Sequence, residues 1–198
     1  MKINKIYKED CLKGMTRIPE GSVDMILCDL PYGSLEVAWD KRLPFEPLWE
    51  QYKRITKENA AIVLFGNNKF EFELVNSAFN LFKYKWVWVK NNASNFINCK
   101  NRPMTRHEDI LIFSKGTAAN RASKNMTYNP QGLQVCGKIY KNGKRKFGTI
   151  AGVRPCNANY KEYERKYSNY PSNILFSILS LEQRDGIQAK NRLTYWNI

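Results

Sequence analysis

The run Val23-Asp24-Met25-Ile26-Leu27-Cys28-Asp29-Leu30-Pro31-Tyr32-Gly33 sets the architecture of this chain. Val23 to Cys28 is short and mostly apolar, the pattern of a buried strand. A carboxylate follows at once, then Leu, Pro, an aromatic ring and Gly. Pro31 fixes its own φ and restricts Leu30, so the bend after the strand is stiff. Proline has no N–H, and its carbonyl is the group it offers. A carboxylate oxygen, a backbone carbonyl and a flat ring on one stiff bend suit a flat group that bears an NH2.

On the N-terminal side, Lys5 to Tyr7 reads as a short strand and Cys11 to Ile18 as a brief helix. Asp10 stands where its side chain accepts the orphan N–H groups of that helix. On the C-terminal side, a polar loop from Gly33 to Leu43 contains Trp39-Asp40. Apolar residues at 45, 48, 49, 52 and 55 predict a helix over Phe45 to Ile55. Ala60 to Phe65 is a second buried strand, ended by Gly66, and Phe70 to Phe79 has Phe70, Leu74 and Ala78 on one helical face. Lys83 to Val89 alternates as a strand does, and Asp109 to Phe113 is a further strand. Strands separated by helices predict an α/β fold with a doubly wound, mostly parallel sheet. Ligands of such sheets sit at the carboxyl ends of strands, which is where Asp10 and Asp29 fall.

The stretch from Asn91 to Pro103 holds five asparagines with Lys100 and Arg102, and reads as a long surface loop of the kind that carries function. His107, the one histidine, suits a catalytic base by type, but a histidine so placed more often hydrogen-bonds a loop in place. The net charge is +14, and +10 of it lies in residues 115–170. There Lys144 and Arg145 sit in a basic block interleaved with Tyr128, Tyr140, Phe147 and Tyr160, the composition of a nucleic-acid surface. The five cysteines form no C-x-x-C pair, so neither a disulfide framework nor a metal centre is expected. No apolar run reaches the roughly 18 residues of a membrane span. Met1-Lys2-Ile3-Asn4-Lys5 lacks a signal-peptide core, so a cytoplasmic protein is expected.

Asp29-Leu30-Pro31-Tyr32 resembles the Asp-Pro-Pro-Tyr motif of the DNA amino-methyltransferases, which methylate adenine N6 or cytosine N4 with S-adenosylmethionine. The flanks resemble the family in order: Glu9-Asp10-Cys11-Leu12, Ile18-Pro19-Glu20-Gly21-Ser22, Trp39-Asp40, Pro44-Phe45, Ala60 to Gly66, Trp88-Val89-Lys90, and Arg106-His107-Glu108-Asp109 to Phe113. The resemblance covers about residues 3–176, the class in which the catalytic half precedes the cofactor loop. It implies a Rossmann-like methyltransferase core, here incomplete. It implies that Asp29, Leu30, Pro31 and Tyr32 are catalytic, and that Asp10, Cys11 and Asp29 border S-adenosylmethionine. The partner implied is double-stranded DNA, with Lys90, Asn92, Lys100, Arg102, Arg106, Lys144 and Arg145 as the expected contacts. An acid at the first motif position favours adenine over cytosine, where the family usually has Ser; Leu30 departs from the commoner Pro.

The family's Phe-x-Gly-x-Gly cofactor loop is missing, and no two glycines stand at i, i+2. Read one nucleotide earlier, suitable codons for Arg184 to Ile198 permit W-H-P-S-Q-K-P and L-L-E-Y, the family's next segment. The expected organisation is therefore a catalytic half at 1–114, a target-recognition region at 115–176 and a frameshifted tail at 177–198. A chain so truncated exposes the edge of its central strand and calls for a homodimer or a complementing chain. The competing readings are an inactive, basic DNA-binding remnant and an RNA-binding protein.

Overall fold

The computed structural model describes residues 3–34, 37–38, 40–120, 122–140 and 163–177. Trp39, Lys144, Arg145, Phe147, Tyr160 and the tail 178–198 lie outside the described residues. Contacts divide the chain into two units, one of Met1–Tyr128 with Asn173–Ala189 and one that includes Asn129–Ser172.

The first unit is a five-stranded sheet. In chain order its elements are α1 (Cys11–Met15), β1 (Val23–Cys28), α2 (Phe45–Ile55), β2 (Thr56–Gly66), α3 (Asn68–Ser77), β3 (Phe82–Ser94) and β4 (Thr105–Phe113). A short last strand, Ile174–Phe176, also belongs to it; with β5 (Gln134–Tyr140) and β6 (Tyr163–Ser168) of the other unit counted, it is β7. The order across the sheet is β1-β2-β4-β3-β7. β1 runs parallel to β2, with Leu27 beside Val63, and β3 parallel to β7, with Trp88 beside Leu175. β4 is antiparallel to both β2 and β3. Four of the five strands thus point one way, and the fold is α/β with a mostly parallel sheet.

Alternation along the strands gives the sheet two apolar faces. On one, Ile62, Leu64, Leu111 and Phe113 are buried against Met15 of α1, Leu48, Trp49, Tyr52 and Ile55 of α2, and Phe70 and Leu74 of α3. On the other, Val63, Ile110 and Ile112 pack with Trp86, Trp88 and Met126. Met126 returns to the sheet through a loop closed by a bridge from Thr117 to Asn125. Gly116 permits that closure, since a Cβ there would stand 2.8 Å from the Met126 nitrogen. Residues 115–128 therefore pack with the sheet rather than with the region after them.

α2 follows its predicted stripe and positions the start of β1. Its Arg54 fork donates to the carbonyls of Ile18 at 2.8 Å and Met15 at 2.6 Å, which pins the turn between α1 and β1. Acidic Glu46 near its start and Lys53 and Arg54 near its end match the helix dipole.

Three expectations are corrected. Lys5 to Tyr7 is not a strand; Ile6 is fully exposed, because no neighbouring strand among the described residues is there to pair with it. The polar stretch after Lys90 is not all loop, since β3 runs on to Ser94 and β4 starts at Thr105. Backbone pairing carries a hairpin past the end of its apolar side chains, and a hydropathy pattern is blind to that. β1 is not the buried strand its apolar run predicts: it pairs with β2 alone among the described residues, so its Met25 and Leu27 are exposed.

The second unit contains the antiparallel ribbon of β5 and β6, in which Lys138 faces Arg165 and Tyr140 faces Tyr163. The ladder shifts register between Val135 and Lys138, where Gly137 takes a positive φ of 50°.

Candidate active site

β1 ends at Cys28 and delivers Asp29 to the carboxyl end of the sheet, where its side chain is exposed. Leu30 turns back into the core and anchors the bend. The bend is locked from two sides. Buried Asp40 accepts the N–H of Gly33 at 2.9 Å and of Ser34 at 2.7 Å. Arg42 donates through Nε to the Tyr32 carbonyl at 2.7 Å, pairs with Glu73 of α3, and lies 5.7 Å from the centre of the Phe70 ring. Gly33 sits at φ +64°, and a Cβ there would meet Arg42 Cγ at 2.6 Å, so only glycine fits. Among the described residues no hydrogen bond claims the carbonyl of Leu30 or Pro31, and no cation pairs with Asp29.

Tyr32 is half-buried. Its ring stacks on Phe70 at 4.7 Å and 24°, and its hydroxyl donates to Glu108 Oε1 at 3.2 Å. Burial, with the Asp29 and Glu108 carboxylates beside it, pushes the phenol well above the usual tyrosine range. It stays protonated and donates. The second oxygen of Glu108 pairs with Lys90 Nζ at 2.6 Å, and that ammonium lies 5.3 Å from the centre of the Trp88 ring. Lys85 Nζ joins Glu71 at 2.7 Å and Asp109 at 3.1 Å, tying α3 to β4 next to Phe70 and Glu108. Burial raises the Glu71 carboxyl against the pull of Lys85.

Asp10 caps α1, accepting the Lys13 N–H at 3.0 Å. Burial first, and then the Asp10 carboxylate, push the Cys11 thiol up. Burial likewise raises Cys28, whose thiol feels both Cys11 and Asp29. Cys11 at the start of α1 thus lies within electrostatic reach of Cys28 at the end of β1.

The expected DNA contacts divide. Asn92, Lys100 and Arg102 are exposed. Lys90 is engaged by Glu108, and Arg106 donates to the carbonyls of Lys90 at 3.1 Å and Asn91 at 3.2 Å, a brace across the hairpin. His107 is exposed opposite Val89 on β4. Sequence reasoning missed Asp40 as a clasp, Arg42, Phe70 and Glu108. Only the Trp-Asp pair at 39–40 hinted at the first; the others depend on which strands and helices become neighbours. Among the described residues no group of three or more His, Cys, Asp or Glu is placed to hold a metal ion, and no helix is long and apolar enough to cross a membrane.

An α/β sheet whose strand β1 ends in a clasped acidic and aromatic turn defines a class of protein, and sequence comparison agrees with it. The chain belongs to the DNA methylase family (N6_N4_Mtase), whose model matches residues 23–187. It is similar to the type II methyltransferase M.HpaI of Haemophilus parainfluenzae, 24% identical over 166 residues, covering 77% of this chain and 49% of that one. The chain thus spans about half the length of that relative. Among solved structures it is similar to the PvuII DNA methyltransferase (cytosine-N4-specific), with TM-score 0.43 and 14% identity over 55% of this chain and 48% of that one. It is also similar to M1.HpyAVI in its SAM complex, with TM-score 0.36 and 19% identity over 58% and 59%.

Proposed function

We propose that this chain presents the amino group of a flipped-out adenine in duplex DNA for methylation at N6 by S-adenosylmethionine. One observation carries the reading: the clasped bend holds the Asp29 carboxylate beside two carbonyls, those of Leu30 and Pro31, that no described residue uses. Adenine N6 is a poor nucleophile because its lone pair is delocalised into the ring. Asp29 accepts one N–H in a charge-assisted bond, and a carbonyl of Leu30 or Pro31 accepts the other. Electron density then gathers on nitrogen, which pyramidalises toward the methyl donor. Tyr32 already has Phe70 on one face, so the base stacks on the opposite face. A base inside a duplex is out of reach, so it is flipped first. Positioning and electrostatics supply the rate.

The cofactor supplies an electrophilic methyl group when bound. Residues at the start of α1 and the end of β1 would hold one side of it: Asp10 keeps an oxygen beyond the one that caps the helix, and Cys11 and Asp29 each lie near Cys28. A glycine pair at i, i+2 for close backbone approach is not in the sequence. That favours a second reading, a DNA-binding chain without activity of its own. The edge of β1, unpaired among the described residues, is where a strand from a complementing chain or a second copy would add. The ribbon of β5 and β6, with exposed Lys138, Arg165 and Lys166, supports target recognition, since a two-stranded ribbon fits the major groove.

The test is methyl transfer from labelled S-adenosylmethionine to duplex DNA by the purified chain, with mass spectrometry of the nucleosides. N6-methyladenine is expected, and N4-methylcytosine overturns the choice of base. DNA binding with no cofactor binding and no transfer establishes the second reading. Asp29→Ala should abolish transfer while the melting temperature holds within what an exposed substitution allows, about 0.5 kcal/mol. Retained activity there removes Asp29 from the mechanism.

A further inference from the structure

The β3–β4 hairpin leaves the sheet beside the candidate site. Glu108, which holds the Tyr32 hydroxyl, is three residues from Thr105, the start of β4, a distance of about 10 Å at strand rise. Beyond the Ser94–Thr105 pair the chain forms a tip at residues 95–104. The tip is built rather than slack. Asn95 takes a left-handed φ of 72°, and its side chain accepts Asn98 Nδ2 at 2.7 Å. Backbone bonds run from Asn98 to Asn95, Cys99 to Phe96, and both Asn101 and Arg102 to Asn98. The Arg106 brace stiffens the base of the hairpin.

What this tip presents is unusual for its composition. Phe96 is 75% exposed and Ile97 91% exposed, side by side in a stretch otherwise rich in asparagine. Lys100 and Arg102 are exposed on the same tip. An aromatic and a β-branched side chain held out by a stiff turn, with cations beside them, have the chemistry of a wedge for a stacked, polyanionic partner. The cations meet phosphates, which position but do not specify. We propose that Phe96 and Ile97 enter a base step of duplex DNA while Lys100 and Arg102 hold the flanking phosphates. The proposal rests on the DNA-methyltransferase reading and deepens it: removing a base from the stack leaves a gap, and the wedge fills one.

The probes are a short fluorescent duplex of randomised sequence and the same duplex with one central abasic site, titrated with the whole chain. A wedge gains on the abasic duplex because it need not pay for unstacking there. The unaltered chain should bind the abasic duplex tighter, on the order of ten-fold. Phe96→Ala with Ile97→Ala should bring the ratio of the two affinities to about one. Lys100→Ala should weaken both duplexes alike and keep the ratio. A double variant that keeps the preference, or an unaltered chain that has none while binding DNA, overturns the wedge. Self-association lost in the double variant with no change on DNA assigns the tip to contact between copies and also overturns it. Failure of the unaltered chain to bind either duplex overturns the DNA reading itself.

Discussion

The five-stranded sheet and the β5–β6 ribbon use strand-forming residues in opposite ways. In the sheet Leu64, Leu111 and Phe113 are fully buried. In the ribbon Val135 is 83% exposed and Ile139 68% exposed. The sheet is held by apolar faces packed against helices and loops. The ribbon is held by its ladder and by side chains that close it, Ser168 Oγ on the Gln134 carbonyl at 3.3 Å and Asn169 Nδ2 on the Gly132 carbonyl at 2.7 Å. Two strands alone are marginal in water. Burial fixes the residues of the first region, while the second is free to carry charge and shape for a partner.

The sharpest way to break this contrast is truncation. Leu64→Ala should cost about 2–5 kcal/mol, whereas Val135→Ala should stay within about 0.5 kcal/mol; thermal or urea melts of both variants check it. Equal losses would mean that the ribbon is as packed as the sheet. Next is the clasp. Asp40→Ala leaves the Gly33 and Ser34 N–H groups without their acceptor, at a cost of about 1–3 kcal/mol, and should lower methyl transfer more than stability. Asp40→Asn should recover part of both, read from paired melts and transfer rates.

A third prediction concerns alkaline pH. Burial, together with the Cys28 thiol beside it, raises the Tyr52 phenol above its ordinary value. The folded chain therefore holds this proton where the unfolded chain releases it. That contribution is complete below the ordinary tyrosine value of about 10 and fades as pH rises toward the folded one. The melting temperature should fall above pH about 10, and the fall should be shallower in Tyr52→Phe. The smallest expected effect is in the ribbon. Lys138→Ala and Lys166→Ala should each flatten the salt dependence of DNA binding by about one logarithmic unit of slope and leave the melt unchanged. An unchanged slope would remove the ribbon from the DNA surface.

The same contrast explains what could be read in advance. α2 over Phe45–Ile55 matches its predicted limits because apolar periodicity records burial against neighbours, and β1 over Val23–Cys28 matches its limits although its edge position leaves Met25 and Leu27 exposed. β3 and β4 run further than predicted, since the pairing between Ser94 and Thr105 is made by backbone and by the Ser94 hydroxyl on the Thr105 carbonyl, not by apolar side chains. Lys5 to Tyr7 has strand-like residues and no strand, since a strand needs a partner. In the site, Asp29, Leu30, Pro31 and Tyr32 were legible because they lie together on one bend. Phe70, Arg42 and Glu108 were not, because they reach Tyr32 from α3, from the loop before α2 and from β4.

The sequence alone was enough for the limits of the strand Val23–Cys28, the acidic bend at its end, the α/β class and the basic character, because each is local in the chain or a property of composition. Only the tertiary structure decided that β4 runs against its neighbours, that Asp40 and Arg42 clasp the bend, and that the Tyr32 ring has one face already taken. Those depend on which segments, 6 to 76 residues apart, become neighbours in space, and the packing of the whole sheet sets that choice.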